Sequence, residues 1–439
     1  MKLQVLRFLA VAAVAIATLG RPEAVRAQPG PPEPPPDPSA AFFDSTVVRD
    51  LKLFINGKDW AKLQEEYLSN TYYPCDVHWE GQIARNVGVR SRGRGSRLRQ
   101  KPGFRVDIDF YSTKQTFLDM TSFVLDNLSQ DPSAVREVAI MAFFARMGQP
   151  ASREAFVRLY VNNQYVGLYA VAESINKRYL RRNFGLVGED WEDDGYLYEY
   201  DYKADYRFDY LGDNLDAYAE IWDPKTHENG SKEKKWRYFE ELTRLIHEVR
   251  IEDFVPQVGS RVDLATFARH LALENFVAEE DGFLGYAGMN NFYFYRMEHT
   301  GLGRPLVWDK DVAFYSIDFP LFHRIEENPL ARKLLAIPEL RLLYLQTLEQ
   351  AAHSANEPEP PPPDGSPRRG NDPEAANRGW LEREVRRLSD LVRPFIHADP
   401  NKPYSNERFE EEVAKVIEIV RHRPHWVLNA IREEYDRNR

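Results

Sequence analysis

The sequence predicts an α+β protein in two lobes, a strand-rich N-terminal lobe containing one helix and a larger helical C-terminal lobe. Two observations carry this. Between residues 42 and 171 apolar side chains recur at every second position, broken once by a helical pattern. Beyond Glu173 the period lengthens and amphipathic helical runs take over. Ligands commonly sit in the cleft between two such halves.

The chain opens with Lys2 and Arg7 ahead of an apolar run from Phe8 to Leu19, then the small-x-small site Val25-Arg26-Ala27. That pattern predicts a secretory leader over 1–27, cleaved after Ala27. A retained anchor is the competing reading, and the run is short for a span. Residues 28–41 follow as a Pro-rich linker, opening Gln-Pro-Gly-Pro-Pro. The mature protein is therefore expected outside the cytoplasm, secreted, periplasmic or on the envelope, with no membrane span once the leader is gone.

The folded part is expected over 42–437, with an N-lobe at 42–173 and a C-lobe at 174–437. Leu51, Leu53 and Ile55 alternate, as do Val87 and Val89, and then Phe104, Val106, Ile108 and Phe110. Asp131 as cap and Pro132 as first residue predict a helix with Val135, Val138, Ala139 and Ala142 on its apolar face, ending at Gly148. Val157 to Val161 and Tyr165 to Val171 flank Asn162-Asn163-Gln164 and read as a hairpin. A short helix at 175–183 leads into a loop-rich, tyrosine-rich stretch reaching about 235. Helices are expected at 235–249, 263–280, 329–353, 376–396 and 405–437, and strands at 292–296 and 306–308. Residues 357–373 form a Pro-rich loop insertion.

With 68 acidic and 58 basic side chains the protein is acidic, which argues against general nucleic-acid binding. A single cysteine, Cys75, excludes an internal disulfide and a Cys-rich zinc site. The ten histidines show no metal-ligand spacing, and no nucleophile-elbow motif is present.

Against that background, six arginines and Lys101 between positions 90 and 105, with Gly93 and Gly95 among them, form a turn suited to phosphate. A solvated basic hairpin is the competing reading. Trp308-Asp309-Lys310-Asp311 ends an apolar strand, where residues i and i+2 face one way and two carboxylates could share Mg²⁺ or Mn²⁺. Glu279-Glu280-Asp281 closes a helix, where acids oppose the macrodipole and are either solvated or in use. Arg136-Glu137 lies on the N-lobe helix, where Glu137 could pair with Lys101. Glu173 lies at the junction of the lobes.

The order of these pieces resembles the CotH kinase-like family, named for a spore coat protein. The resemblance is carried by Asn86 to Ser96, Lys101-Pro102-Gly103-Phe104-Arg105-Val106, Leu125-Asp126-Asn127 and Asp131 to Glu137. Phe156 to Glu173, Leu273-Glu274-Asn275, Asp281, Asn291 to Tyr295 and Trp308 to Asp311 complete it. It implies an atypical protein-kinase-like bilobal fold that binds ATP and Mg²⁺ (or Mn²⁺) and phosphorylates serine or threonine on exported or surface proteins. Carried over, Asp281 is the catalytic aspartate that orients or deprotonates the acceptor hydroxyl, and Asn291 and Asp309 hold metal with Asp311 beside them. Arg92, Gly93, Gly95 and Ser96 cover the phosphates. Lys101 reaches them with the support of Glu137, and Glu173 lies near the hinge. The sequence departs from the family at the turn, which reads Arg-Gly-Arg-Gly-Ser where relatives often have Gly-Asn-Ser-Ser. It departs again at Pro102-Gly103, where many carry a second lysine. A non-catalytic envelope or coat scaffold of the same fold is the alternative. A metal-dependent phosphoester hydrolase would want a nucleophile or two-metal cluster that the sequence lacks.

Overall fold

In the computed structural model, seven strands close into a barrel in the order β1-β2-β3-β4-β5-β7-β6. They are β1 (Arg49–Ile55), β2 (Tyr73–Trp79), β3 (Gln82–Arg92), β4 (Gly103–Asp107), β5 (Ser122–Asp126), β6 (Glu154–Val161) and β7 (Gln164–Glu173). The structure describes residues 37–360 and 377–437. The expected leader at 1–27, residues 28–36 of the linker and residues 361–373 of the Pro-rich insertion lie outside the described residues.

Alternation explains the barrel. Leu51, Leu53, Val87, Val89, Phe104, Val106, Phe123, Leu125, Val157, Leu159 and Val171 all point inward and are buried together. Each such burial is worth ~1.5–3 kcal/mol. Closure comes from β1 running parallel to β6, Leu51 opposite Leu159 and Leu53 opposite Val161. The linker joins this core at its end: Ser39 is buried, and the Phe42 ring meets Trp79 at 5.3 Å and Phe123 at 5.1 Å. The β6–β7 turn is built by Asn162 and Asn163, both left-handed (φ 51° and 64°), the conformation a two-residue hairpin turn requires. Asn162 locks that turn to β1, accepting from the Ile55 N–H (2.9 Å) and donating to its carbonyl (2.8 Å).

Two N-lobe expectations shift. Phe110 does not continue β4, which ends at Asp107; the side chain is 46% exposed and stacks on Tyr72. The helix expected from Pro132 begins later, and a short helix α1 (Gly57–Glu65) precedes it. α2 (Arg136–Arg146) starts after a turn in which Asp131 accepts from the N–H groups of Ser133 and Arg136 and Ala134 is left-handed (φ 60°). Gly148, at φ 72°, follows its end.

After β7 come α3 (Lys177–Phe184) and the small hairpin β8 (Leu186–Val187) with β9 (Asp190–Trp191). The stretch expected to be loops then supplies β10 (Tyr196–Tyr200), α4 (Leu215–Ala219) and β11 (Trp222–Pro224). They are followed by α5 (Lys232–Glu248), α6 (Ile251–Val258), α7 (Leu264–Phe276), β12 (Phe292–Arg296) and β13 (Gly303–Val307). A second sheet forms in the order β11-β10-β12-β13. Its aromatic side chains pack on α5 and α7, Trp222 stacking on Phe239 at 4.0 Å. The helix expected at 329–353 is two, α8 (Pro329–Leu335) and α9 (Pro338–Ala355), because Pro338 starts the second. α10 (Trp380–His397) and α11 (Asn406–Arg437) complete the fold.

α7 stops at Phe276, four residues short of expectation. Its last carbonyls, Asn275 (2.7 Å) and Phe276 (3.0 Å), receive the buried guanidinium of Arg423 from α11. Ala278 then turns left-handed (φ 53°), sending residues 279–282 away from the helix axis.

Candidate active site

A cleft of about 720 Å³ opens between the β3–β4 turn and the second sheet, and its two walls differ in sign. Arg90, Arg92, Arg94 and Arg97 stand on one side with Gly93, Gly95 and Ser96. Glu199, Asp201, Asp223, Asp281, Asp309 and Asp311 stand on the other, with Asn290, Asn291 and Lys225.

The basic wall is a braced turn. Gly93 has φ 106°, and a Cβ there would meet Ser96 Oγ at 2.3 Å, so only glycine lets the hydroxyl fold under the turn. Arg97 donates to the Gly93 carbonyl (2.6 Å), and Asn127 donates to the carbonyls of Ser96 (2.8 Å) and Lys101 (2.7 Å). Arg94 crosses the mouth of the cleft to the Tyr202 carbonyl (2.8 Å) and Asp201 (3.5 Å). Arg92 sits deeper. Its guanidinium lies 3.8 Å from Asp126 and 4.0 Å from Asp309, over the Trp308 ring at 5.7 Å.

Three chain segments carry Asp281, the pair Asn290 and Asn291, and Asp309 with Asp311. Asp281 accepts from the side-chain amides of Asn290 (2.9 Å) and Asn291 (3.2 Å), and its own N–H goes to Glu279 (2.7 Å). Burial raises the Asp281 carboxyl, opposed by these amides and by Lys310. Asp309 and Asp311 do not share a face of an extended strand as expected. β13 ends at Val307, and Asp309 is left-handed (φ 52°), so both acids reach the cleft from a turn. Asn291 is also left-handed (φ 56°). Non-glycine residues held in this region cost energy and gather where geometry is functional. Burial pushes Asp309 up to about 6, against the pull of Arg92. Asp311 is held well above the usual carboxylate range by burial, then by Asp309 and Asp126. Such hard oxygen donors, crowded until they resist ionising, suit a divalent cation. Among the described residues no three acidic, histidine or cysteine side chains are already closed around one point.

Three expected site residues lie elsewhere. Lys101 is fully buried and pairs with Asp399 at 2.8 Å, its ammonium 5.1 Å from the centre of the Tyr169 ring. It does not line the cleft, because Asp399 arrives from beyond α10 to take its charge. Glu137 consequently does not pair with Lys101. It interacts instead with Glu154, and both carboxyls are held well above their usual range by burial and then by neighbouring acids. Glu173 is occupied by Arg153 (2.8 Å) and Arg182 (2.6 Å), away from the cleft lining.

Arg92, Gly93, Gly95, Ser96, Asp281, Asn291, Asp309 and Asp311 all line the one cleft. Sequence reasoning missed Glu199 and Asp201, although they alternate with tyrosines in Tyr-Leu-Tyr-Glu-Tyr-Asp as a half-buried strand would. It gave Asp126 no role beyond its place in the Leu125-Asp126-Asn127 stretch, and it missed Glu154, for which local sequence carries no distinguishing signal.

A family model described as CotH kinase protein matches residues 89–359. The chain is similar to the inner spore coat protein H of Bacillus subtilis (strain 168), 23% identical over 384 residues, which are 86% of this chain and 95% of that protein. Among solved structures it is similar to the Helicobacter pylori proinflammatory kinase CtkA. That match has 10% identity and a TM-score of 0.29, covering 78% of this chain and 95% of the other. A superposition this loose establishes no residue correspondence.

Proposed function

The chain belongs to the CotH kinase family, and on that premise we propose that it transfers the γ-phosphoryl group of ATP, with Mg²⁺ or Mn²⁺, to serine or threonine on an exported or surface-located protein. The observation that carries the reading is the two-signed cleft, where a glycine–arginine turn faces Asp281, Asn291, Asp309 and Asp311. Phosphoryl transfer asks a protein mainly for positioning and charge neutralisation. Arg92 and the turn supply positive charge and backbone N–H groups for a polyphosphate. Asp309, Asp311 and the Asn291 amide would hold the cation, which would supply positive charge to the phosphate oxygens. Asp281, oriented by two asparagine amides, takes the proton of the acceptor hydroxyl, and a carboxyl raised by burial suits that task.

Export rests on the leader expected at 1–27. No helix among the described residues is long and apolar enough to cross a membrane. A second reading, a binding scaffold in an envelope or coat, has only the name of the spore coat relative behind it.

The test is incubation of the chain from Gln28 onward with γ-labelled ATP and Mg²⁺ or Mn²⁺, beside Asp281→Ala and Asp309→Ala. Label that appears with the parent and vanishes in both variants supports the kinase. Equal background in all three, with no thermal stabilisation by Mg-ATP, supports the scaffold. A true ligand at ~100 times its Kd adds ~2.7 kcal/mol.

A further inference from the structure

Directly beneath the acidic wall lies a buried ion pair that no step above uses. Glu274, on α7, and Lys310, between the two cleft aspartates, are both buried, with Nζ 2.7 Å from Oε1. Lys310 also donates to the main-chain carbonyl of Asn291 (2.9 Å). Glu274 accepts from the N–H of Phe283 (2.9 Å), two residues after Asp281. His270, one turn earlier on α7, places Nε2 3.2 Å from the same carboxylate. Gly282 lies so close that a Cβ there would stand 2.7 Å from both carboxylate oxygens.

The pair therefore reaches the three segments that carry Asp281, Asn291 and Asp309 with Asp311. Through Phe283 it holds the 281–283 loop, through the Asn291 carbonyl it holds the start of β12, and through the backbone of Lys310 it holds the turn carrying Asp309 and Asp311. Asn291 and Asp309 are both left-handed, so something must retain these conformations against relaxation. α7 is itself fixed at its end by Arg423, which makes Glu274 a stable anchor.

We propose that Glu274 and Lys310 are positioning residues for phosphoryl transfer, a buried ion pair that sets the distance between Asp281 and the cation-holding acids Asp309 and Asp311. This rests on the phosphotransferase reading of the cleft. Lys310 is in this view an internal brace, and its charge is spent on Glu274 and a carbonyl rather than offered to a ligand. The arginine turn on the opposite wall is not touched by the pair. Loosening the brace then alters the chemical step and cation use while leaving nucleotide affinity nearly intact. A displacement near 1 Å at such a site costs on the order of 10²-fold in rate.

The experiment uses Glu274→Gln, which keeps the shape and an oxygen for Phe283 but gives up the ion pair, and Glu274→Asp as the conservative variant. Label transfer from ATP, KM for ATP, the Mn²⁺ concentration for half-maximal rate, and the urea midpoint are measured for each. The expected result is a fall in kcat of about 10²-fold for Glu274→Gln, with a raised Mn²⁺ requirement, a KM for ATP within about threefold, and partial return of kcat in Glu274→Asp. Should Glu274→Gln fail to fold, Lys310→Met is read in the same way. A folded variant whose kcat and Mn²⁺ requirement match the parent overturns the proposal and leaves the kinase reading standing. A parent chain that transfers no label and shows no Mn²⁺-dependent nucleotide binding overturns that reading, and this proposal with it.

Discussion

Lys101 offers the sharpest test of the structure against the family expectation, because the two assign it opposite jobs. If it reached the phosphates, Lys101→Met would abolish nucleotide binding and leave the fold untouched. The structure puts it at 0% side-chain exposure beside an equally buried Asp399. Removing one partner of such a pair costs about 3–5 kcal/mol, mostly from the charge left behind. Asp399 retains N–H donors from Leu168 (2.9 Å), Asn401 (2.9 Å) and Lys402 (3.0 Å), which places the loss near the lower end, about 3 kcal/mol. With an m-value of about 3 kcal/mol/M, the urea midpoint should fall by about 1 M. Adding Asp399→Asn should recover part of that loss, since the stranded carboxylate is then gone. The assay pairs urea unfolding with nucleotide binding at a temperature where the variant is folded. A Lys101→Met protein of parental stability that no longer binds Mg-ATP would refute this assignment.

Four further outcomes are expected. Gly167→Ala should destabilise the protein by about 1–3 kcal/mol in the same urea assay, because its Cβ would meet Asp399 oxygens at 2.5 and 2.6 Å with φ at 150°. Arg423→Met should lower the urea midpoint by more than any exposed arginine change, since four carbonyls lose a buried donor, those of Asn275, Phe276, Ile317 and Phe319. Glu279 is raised to about 7 by burial, so the unfolded chain releases its proton first and stability falls as pH climbs from the ordinary glutamate value of 4.5 towards 7; Glu279→Gln should flatten that part of a stability–pH curve. Cys75, buried with its thiol pushed up by burial, should resist a thiol reagent in the native state and react at once in urea.

What was legible in the sequence is what is local in it. Alternation at Leu51, Leu53 and Ile55 or at Val87 and Val89 needs no distant partner to be read, and the asparagine turn at 162–163 declares its own conformation. The sequence misplaces the start of α2 because Asp131 and Pro132 resemble a helix opening, whereas the Asp131 carboxylate spans a turn, accepting from the N–H groups of Ser133 and Arg136. The end of α7 was misjudged because apolar residues continue through Val277 and Ala278; Arg423, far along the chain, ends the helix. Glu199 belongs to the cleft by virtue of its place opposite Tyr293 in the β10–β12 ladder, a register no single segment reveals.

The same locality separates the two cationic side chains Arg92 and Lys101. Within β3 the buried positions Val89 and Ser91 alternate with Arg90 and Arg92, so both arginines leave the barrel on its outer face. The ladder sets Arg90 opposite Arg105 and Arg92 opposite Gly103, where the absence of a side chain clears the path of Arg92 towards Asp126 and Asp309. Lys101 precedes β4, outside that alternation, and is drawn to Asp399 over the ring of Tyr169. A charge placed on the outer face at the end of a barrel strand meets the cleft, and one placed off the strand is free to be taken by another element. Strand parity, more than charge or proximity in sequence, therefore places Arg92 rather than Lys101 in the cleft.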